Sequence, residues 1–75
     1  MTLWELSPTQ TAVVVTIADT VSPAVLSRLT EMGIETEQSI HCLRKGPFNG
    51  PIVLELGGSV FALEQALAEA IFVRL

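Results

Sequence analysis

The chain has 75 residues, room for one domain, and 49% of them are hydrophobic, enough to fill a small core without a covalent staple. Its net charge is −4, and its only cations are Arg28, Arg44, Lys45 and Arg74. Four scattered cations cannot neutralise a run of phosphates, and an acidic surface is repelled by anionic lipid, so nucleic-acid binding and direct attachment to a membrane are excluded. Cys42 is the one cysteine, which rules out an intramolecular disulfide and fits a reducing compartment. The longest apolar stretch, Ala66 to Val73, is broken by Glu69 and falls short of the ~20 residues of a membrane helix. Met1 to Leu6 has no basic segment leading into an apolar core, so a cytoplasmic, soluble protein is expected.

In chain order, residues 1–10 form a lead-in in which Leu3, Trp4 and Leu6 can tuck onto a core, closed by a turn signal at Ser7-Pro8-Thr9. Residues 11–18 are β-branched almost throughout and predict a strand, with Val13, Val15 and Ile17 facing inward and Val14 outward. Ser22-Pro23 starts a helix over about residues 23–32: serine caps it, and proline at the first helical position loses only a hydrogen bond that would be absent anyway. Val25, Leu26, Leu29 and Met32 make the buried stripe, and Gly33 supplies the left-handed stop. Residues 39–45 predict a second strand, and Gly46-Pro47-Phe48-Asn49-Gly50-Pro51 a structured loop that presents Phe48. Ile52 to Leu56 alternates with Ile52, Leu54 and Leu56 inward. Gly57-Gly58 is a two-residue hairpin turn onto a strand over 59–63. A single helical turn near 64–68 leads to a last strand over 70–75 with Ile71, Val73 and Leu75 inward. Five short strands and one helix predict a mainly β fold, a partly open barrel capped at one end and forming one domain over 1–75.

The residues offer little chemistry. His41 and Cys42 are the only nucleophile–base pair available, but neighbours in a strand point to opposite faces and cannot hydrogen-bond as a catalytic pair. The expectation is therefore a non-enzyme with no catalytic residue and no resident cofactor. One histidine and one cysteine fall short of a four-ligand zinc site. Weak candidates for holding ferrous iron or another divalent cation are His41, Cys42, Glu35 and Glu37, with Glu31 near them at the helix end. The 46–51 loop lacks the Lys-Ser/Thr pair of a phosphate loop, and its prolines remove backbone donors. With no tyrosine and few other aromatics, capture of proline-rich peptides is not expected. What remains is surface. Phe48 at a loop tip, with Val53, Phe72 and Val14 outward on strands, are candidate contacts for another protein, or for a second copy through Val53 and Phe72.

Five local patterns in order resemble the FeoA family of small cytoplasmic proteins of bacterial ferrous-iron uptake. They are Leu3-Trp4-Glu5-Leu6, the helix from Pro23 closing on Met32-Gly33-Ile34, the loop Gly46 to Ile52, Phe61-Ala62-Leu63, and Ala68 to Val73. Two turns depart from the family pattern: Pro8-Thr9-Gln10 and Glu35-Thr36-Glu37 stand where a Pro-Gly turn is common, and the chain is more acidic than is usual there. The resemblance implies an SH3-like barrel and a role as accessory to FeoB, the membrane ferrous-iron transporter with a cytosolic GTPase domain. It carries over no catalytic residue. The same domain type closes metal-dependent repressors of the diphtheria-toxin-repressor kind, which makes a regulatory barrel the near alternative; a ferrous-iron carrier or sensor is the other.

Overall fold

The computed structural model describes all of residues 1–75. Its first helix, α1 (Pro23–Glu31), begins where the Ser22 side chain accepts a hydrogen bond from the Val25 N–H at 3.3 Å, with Pro23 in the first turn. It stops at Gly33, which takes φ +89°, and a Cβ there would lie 2.8 Å from Leu56 Cδ2. Glycine is thus required twice, for backbone sign and for space. Around this helix run β1 (Thr11–Ile17), β2 (Ser39–Lys45), β3 (Ile52–Leu56), β4 (Ser59–Leu63) and β5 (Ile71–Arg74), with a four-residue helix α2 (Gln65–Ala68) before β5. The strands form one antiparallel sheet in the order β4-β3-β2-β1-β5. The sheet curls into a barrel left open between β4 and β5, where α2 carries the chain across.

Fifteen residues are buried, and every one is apolar. Inward alternation on β3 places Ile52, Leu54 and Leu56 in the core, as the sequence predicts. Gly57 and Gly58, at φ +59° and +85°, make the expected two-residue hairpin turn. The lead-in segment closes the barrel: the Val73 N–H donates to the Met1 carbonyl at 2.8 Å, Thr2 bridges to Phe72, and Leu3 and Leu6 are fully buried. The turn between them is fixed by the Thr2 N–H donating to Glu5 Oε1 at 2.6 Å, which lowers the Glu5 pKa. Lys45 ties the same segment to β2: its Nζ donates to the Trp4 carbonyl at 2.7 Å and lies 5.6 Å from the indole centroid.

The β1–β2 ladder is pinned at both ends by matching devices. At one end Ser7–Gln10 forms a turn, with Gln10 N–H donating to Ser7 O at 3.1 Å. Thr9 and Gln10 then oppose the single residue Cys42, through Thr9 N–H to Cys42 O at 2.8 Å and Cys42 N–H to Gln10 O at 2.9 Å. At the other end Glu35–Gln38 forms the turn at 3.2 Å, and Glu37 and Gln38 oppose Val14 through bonds of 2.8 and 2.9 Å. Each is a type II turn running into a bulge of the kind whose first residue is left-handed and normally glycine. Here those residues are Thr9 at φ +75° and Glu37 at φ +73°. The turns that lack Pro-Gly therefore form complete, with two L-residues held where glycine is preferred.

Three inward assignments are corrected. Ala12 and Val14 are the buried residues of β1, while Val15 is 41% exposed, the reverse of the sequence phasing; Val14 accordingly is not an outward residue. A run of β-branched residues carries no polar alternation to set its phase. The bulge that pairs Val14 with Glu37 and Gln38 sets it, and a second irregularity between Val14 and Thr16 returns Ile17 to partial burial. Leu26 is 43% exposed, because a nine-residue helix needs only Val25, Leu29 and Met32 to cover this core. Leu75 lies beyond the end of β5 and is exposed.

Thr9→Gly is expected to raise the free energy of unfolding by about 1 kcal/mol, which is ~4–8 °C in Tm for a domain of this size. Glu37→Gly should shift Tm in the same direction by less, because it also removes an exposed ion pair with Arg74 at 3.5 Å. Thermal denaturation checks both, and a fall in Tm for Thr9→Gly would show that the left-handed threonine is not strained.

Candidate functional site

The four residues weighed as metal ligands do not meet. Cys42 and His41 are neighbours on β2 and face opposite sides. The Cys42 thiol is buried in the core, where its sulfur lies 3.9 Å from the Arg44 carbonyl, and burial pushes its pKa up. His41 faces outward, its Nδ1 2.7 Å from Thr11 Oγ1, and pairs across the ladder with Glu55. Glu37 sits in the left-handed turn beside Arg74, and Glu35 is one of the residues lining a surface groove. No three His, Cys, Asp or Glu side chains gather into a group that could hold an ion.

The candidate contact residues are also spread out. Phe48 projects from the β2–β3 hairpin and is fully exposed. Its loop is rigid by construction: Gly46 N–H donates to Pro51 O at 2.9 Å, and Gly50 N–H to Pro47 O at 3.0 Å. A Cβ on Gly46 or Gly50 would meet backbone at 3.1 or 3.0 Å, so the two glycines let the loop's sides close together. Phe48 and Asn49 stand at the two central positions of this turn with φ +55° and +61°, both left-handed. Asparagine tolerates that conformation; a bulky phenylalanine does not, and its ring packs on nothing in compensation. Val53 is half-buried on the outer face of β3, opposite Arg44 and Ala62. Phe72 is partly exposed on β5, opposite Thr16. Strands β2 and β1 separate β3 from β5, so Val53 and Phe72 are not one surface.

One feature escapes sequence reasoning. Leu26 and Thr30 on α1, Ile17 at the end of β1, and Ile34, Glu35 and Thr36 after the helix enclose an open groove of about 310 Å³. Half of its lining is apolar, and Thr30, Thr36 and Glu35 bring two hydroxyls and one carboxylate. The available signal was the excess of apolar residues on a short helix: Leu26 is one more than the core uses.

The FeoA domain model matches residues 1–75. The chain belongs to the FeoA family. Its fold is that of solved FeoA proteins. Over the whole of this chain and 70% of the other, it is 31% identical to the FeoA protein of Chlorobium tepidum, with a TM-score of 0.90. Over 97% of this chain and 88% of the other, it is 32% identical to Stenotrophomonas maltophilia FeoA, solved with zinc and described as an SH3 domain protein, with a TM-score of 0.84. A manganese-dependent transcriptional repressor matches 99% of the chain with 40% of its own length, at 26% identity and a TM-score of 0.86. No curated protein sequence matches the chain. The SH3-like barrel, the family and the link to ferrous-iron transport expected from the sequence are thus established, and FeoA is a small transport-associated family rather than a family of enzymes. No helix is long and apolar enough to cross a membrane.

Burial of Cys42 makes the thiol inert in the folded protein. A thiol reagent at pH 8 is expected to leave native FeoA unmodified and to label it fully in denaturant. Because folding raises this pKa, the contribution to stability is complete below the unfolded thiol's pKa, about 8.5, and is lost as pH rises through the folded value. Rapid labelling of the native protein would place the sulfur at the surface.

Proposed function

We propose that this FeoA is a cytoplasmic accessory protein of ferrous-iron uptake that acts by contact, docking on the cytosolic part of a FeoB-type transporter. The observation that carries the reading is Phe48. A fully exposed aromatic ring is held in a left-handed conformation on a hairpin tip that two glycines make rigid. That arrangement costs stability and gains no packing within the chain, as expected of a residue kept for an external contact. A rigid aromatic loses little entropy on insertion into a partner's pocket. The Stenotrophomonas maltophilia relative is described as a candidate activating factor of ferrous iron transport, which accords with an accessory role. The groove beside Leu26, lined half by apolar and half by polar residues, is a second surface for the same partner. Val53 and Phe72 lie on separate strands with β2 and β1 between them and do not form one contact surface.

A regulatory role akin to that of the repressor domain is a second reading, favoured by the match of nearly the whole chain to that domain. An iron-carrying role would need ligands beyond His41, Cys42, Glu35 and Glu37, which point apart; anaerobic calorimetry with ferrous iron tests it, and a Kd below millimolar would restore it.

Phe48→Asn separates stability from contact. It relieves the left-handed strain and is expected to raise Tm, while weakening retention of the transporter's soluble cytosolic domain at least tenfold in a pull-down. Retention of the transporter domain by the variant equal to that of the unaltered protein would remove Phe48 from the contact. No retention by the unaltered protein, beside a positive control from another Feo system, would remove the partner.

A further inference from the structure

The barrel has one free edge. The outer edge of β5 is taken by Met1 and Thr2, through the Val73–Met1 bond and the Thr2–Phe72 bridge. Strand β4 ends the sheet with no partner beyond it. Its hairpin closes on Leu56 and Ser59, so the hydrogen-bonded pairs with β3 are Leu56–Ser59, Leu54–Phe61 and Ile52–Leu63. The N–H and C=O groups of Val60 and Ala62 therefore point outward along the edge. Natural sheets guard such edges with charge, proline or a bulge. Here Ser59-Val60-Phe61-Ala62-Leu63 has no charge and no proline, and its pairing with β3 runs without a register shift, whereas β1–β5 and β2–β3 each contain one. Val60 is 59% exposed.

We propose that β4 pairs antiparallel with β4 of a second copy of this chain, joining two barrels through one continuous sheet. The edge is self-complementary about Phe61. With the two-fold axis there, Val60 faces Ala62 of the second copy and Ala62 faces its Val60, which satisfies four donors and four acceptors in two hydrogen-bonded pairs. The two Phe61 residues, each packed partly on its own core, meet at the axis as the close, non-hydrogen-bonded pair, where aromatic cross-strand contacts are favourable. Charge permits this register: Glu64 of one copy falls opposite Gly58 of the other, and no two like charges oppose each other along the strands. This inference is independent of the docking proposed for Phe48, which lies on another hairpin.

Sedimentation equilibrium of the full chain from micromolar to millimolar concentration tests it, alongside hydrogen exchange at the Val60 and Ala62 amides. The apparent mass should double across the range, and both amides should exchange more slowly as concentration rises. Ala62→Pro deletes an outward donor without touching the β3 ladder and should raise the dimer Kd at least tenfold. Val60→Lys, at an exposed outward position, should do the same and serves if the proline variant does not fold. A monomer at every concentration would overturn the proposal. So would a dimer whose Kd neither variant changes, or amide protection that appears only when a different protein is added.

Discussion

Two left-handed residues, Thr9 and Glu37, hold the ends of the β1–β2 ladder, and the rest of the barrel is phased from them. Each lets two residues of one strand oppose one residue of the other, Cys42 at one end and Val14 at the other. A slip of one residue would turn every side chain of the strand to the wrong face. With the ladder held, Ala12, Val14, Ile40 and Cys42 enter the core together. The sheet then continues through β3 and β4 on one side and β5 on the other. The cost is about 1–2 kcal/mol at each left-handed L-residue, a sizeable share of the ~5–15 kcal/mol by which a domain is stable. The core tolerates it because it is wholly apolar and leaves no buried polar side-chain atom unpaired.

The same backbone strain has a different meaning at Phe48. Thr9 and Glu37 each sit in a turn that fixes strand register, so their conformation is repaid inside the fold. The hairpin turn at Phe48 is equally constrained, yet the side chain it displays contacts nothing. Asparagine or glycine would make the same turn at lower cost. Packing within the chain thus does not account for phenylalanine at this position. The unguarded edge of β4 has a similar character: the chain's own N-terminal segment covers the opposite edge of the sheet and leaves this one open.

Much of the architecture was legible in the sequence, because the signals were local. Ser22-Pro23 and Gly33 bracket α1 through hydrogen bonding and backbone sign. Gly57-Gly58 fixes the β3–β4 register, and the alternation of Ile52, Leu54 and Leu56 fixes which face is buried. The opposition of His41 and Cys42 follows from strand geometry alone. The face of Val14 is not legible in the sequence because Val13-Val14-Val15 is apolar on both sides, and the residue that sets its phase, Glu37, lies 23 positions away across a turn. The exposure of Leu26 is equally hidden, because helical spacing does not say how wide a stripe a small barrel needs.

The sequence by itself determined the element order, the turns, the family and the opposition of His41 and Cys42, since each of these depends on residues adjacent in the chain. Tertiary structure alone decided which side of β1 is buried, that the acidic and thiol candidates point apart, that a groove opens beside Leu26, and that β4 is left without a partner. Those outcomes depend on how strands distant in sequence meet, and a periodic pattern fixes a face only when its two sides differ in polarity.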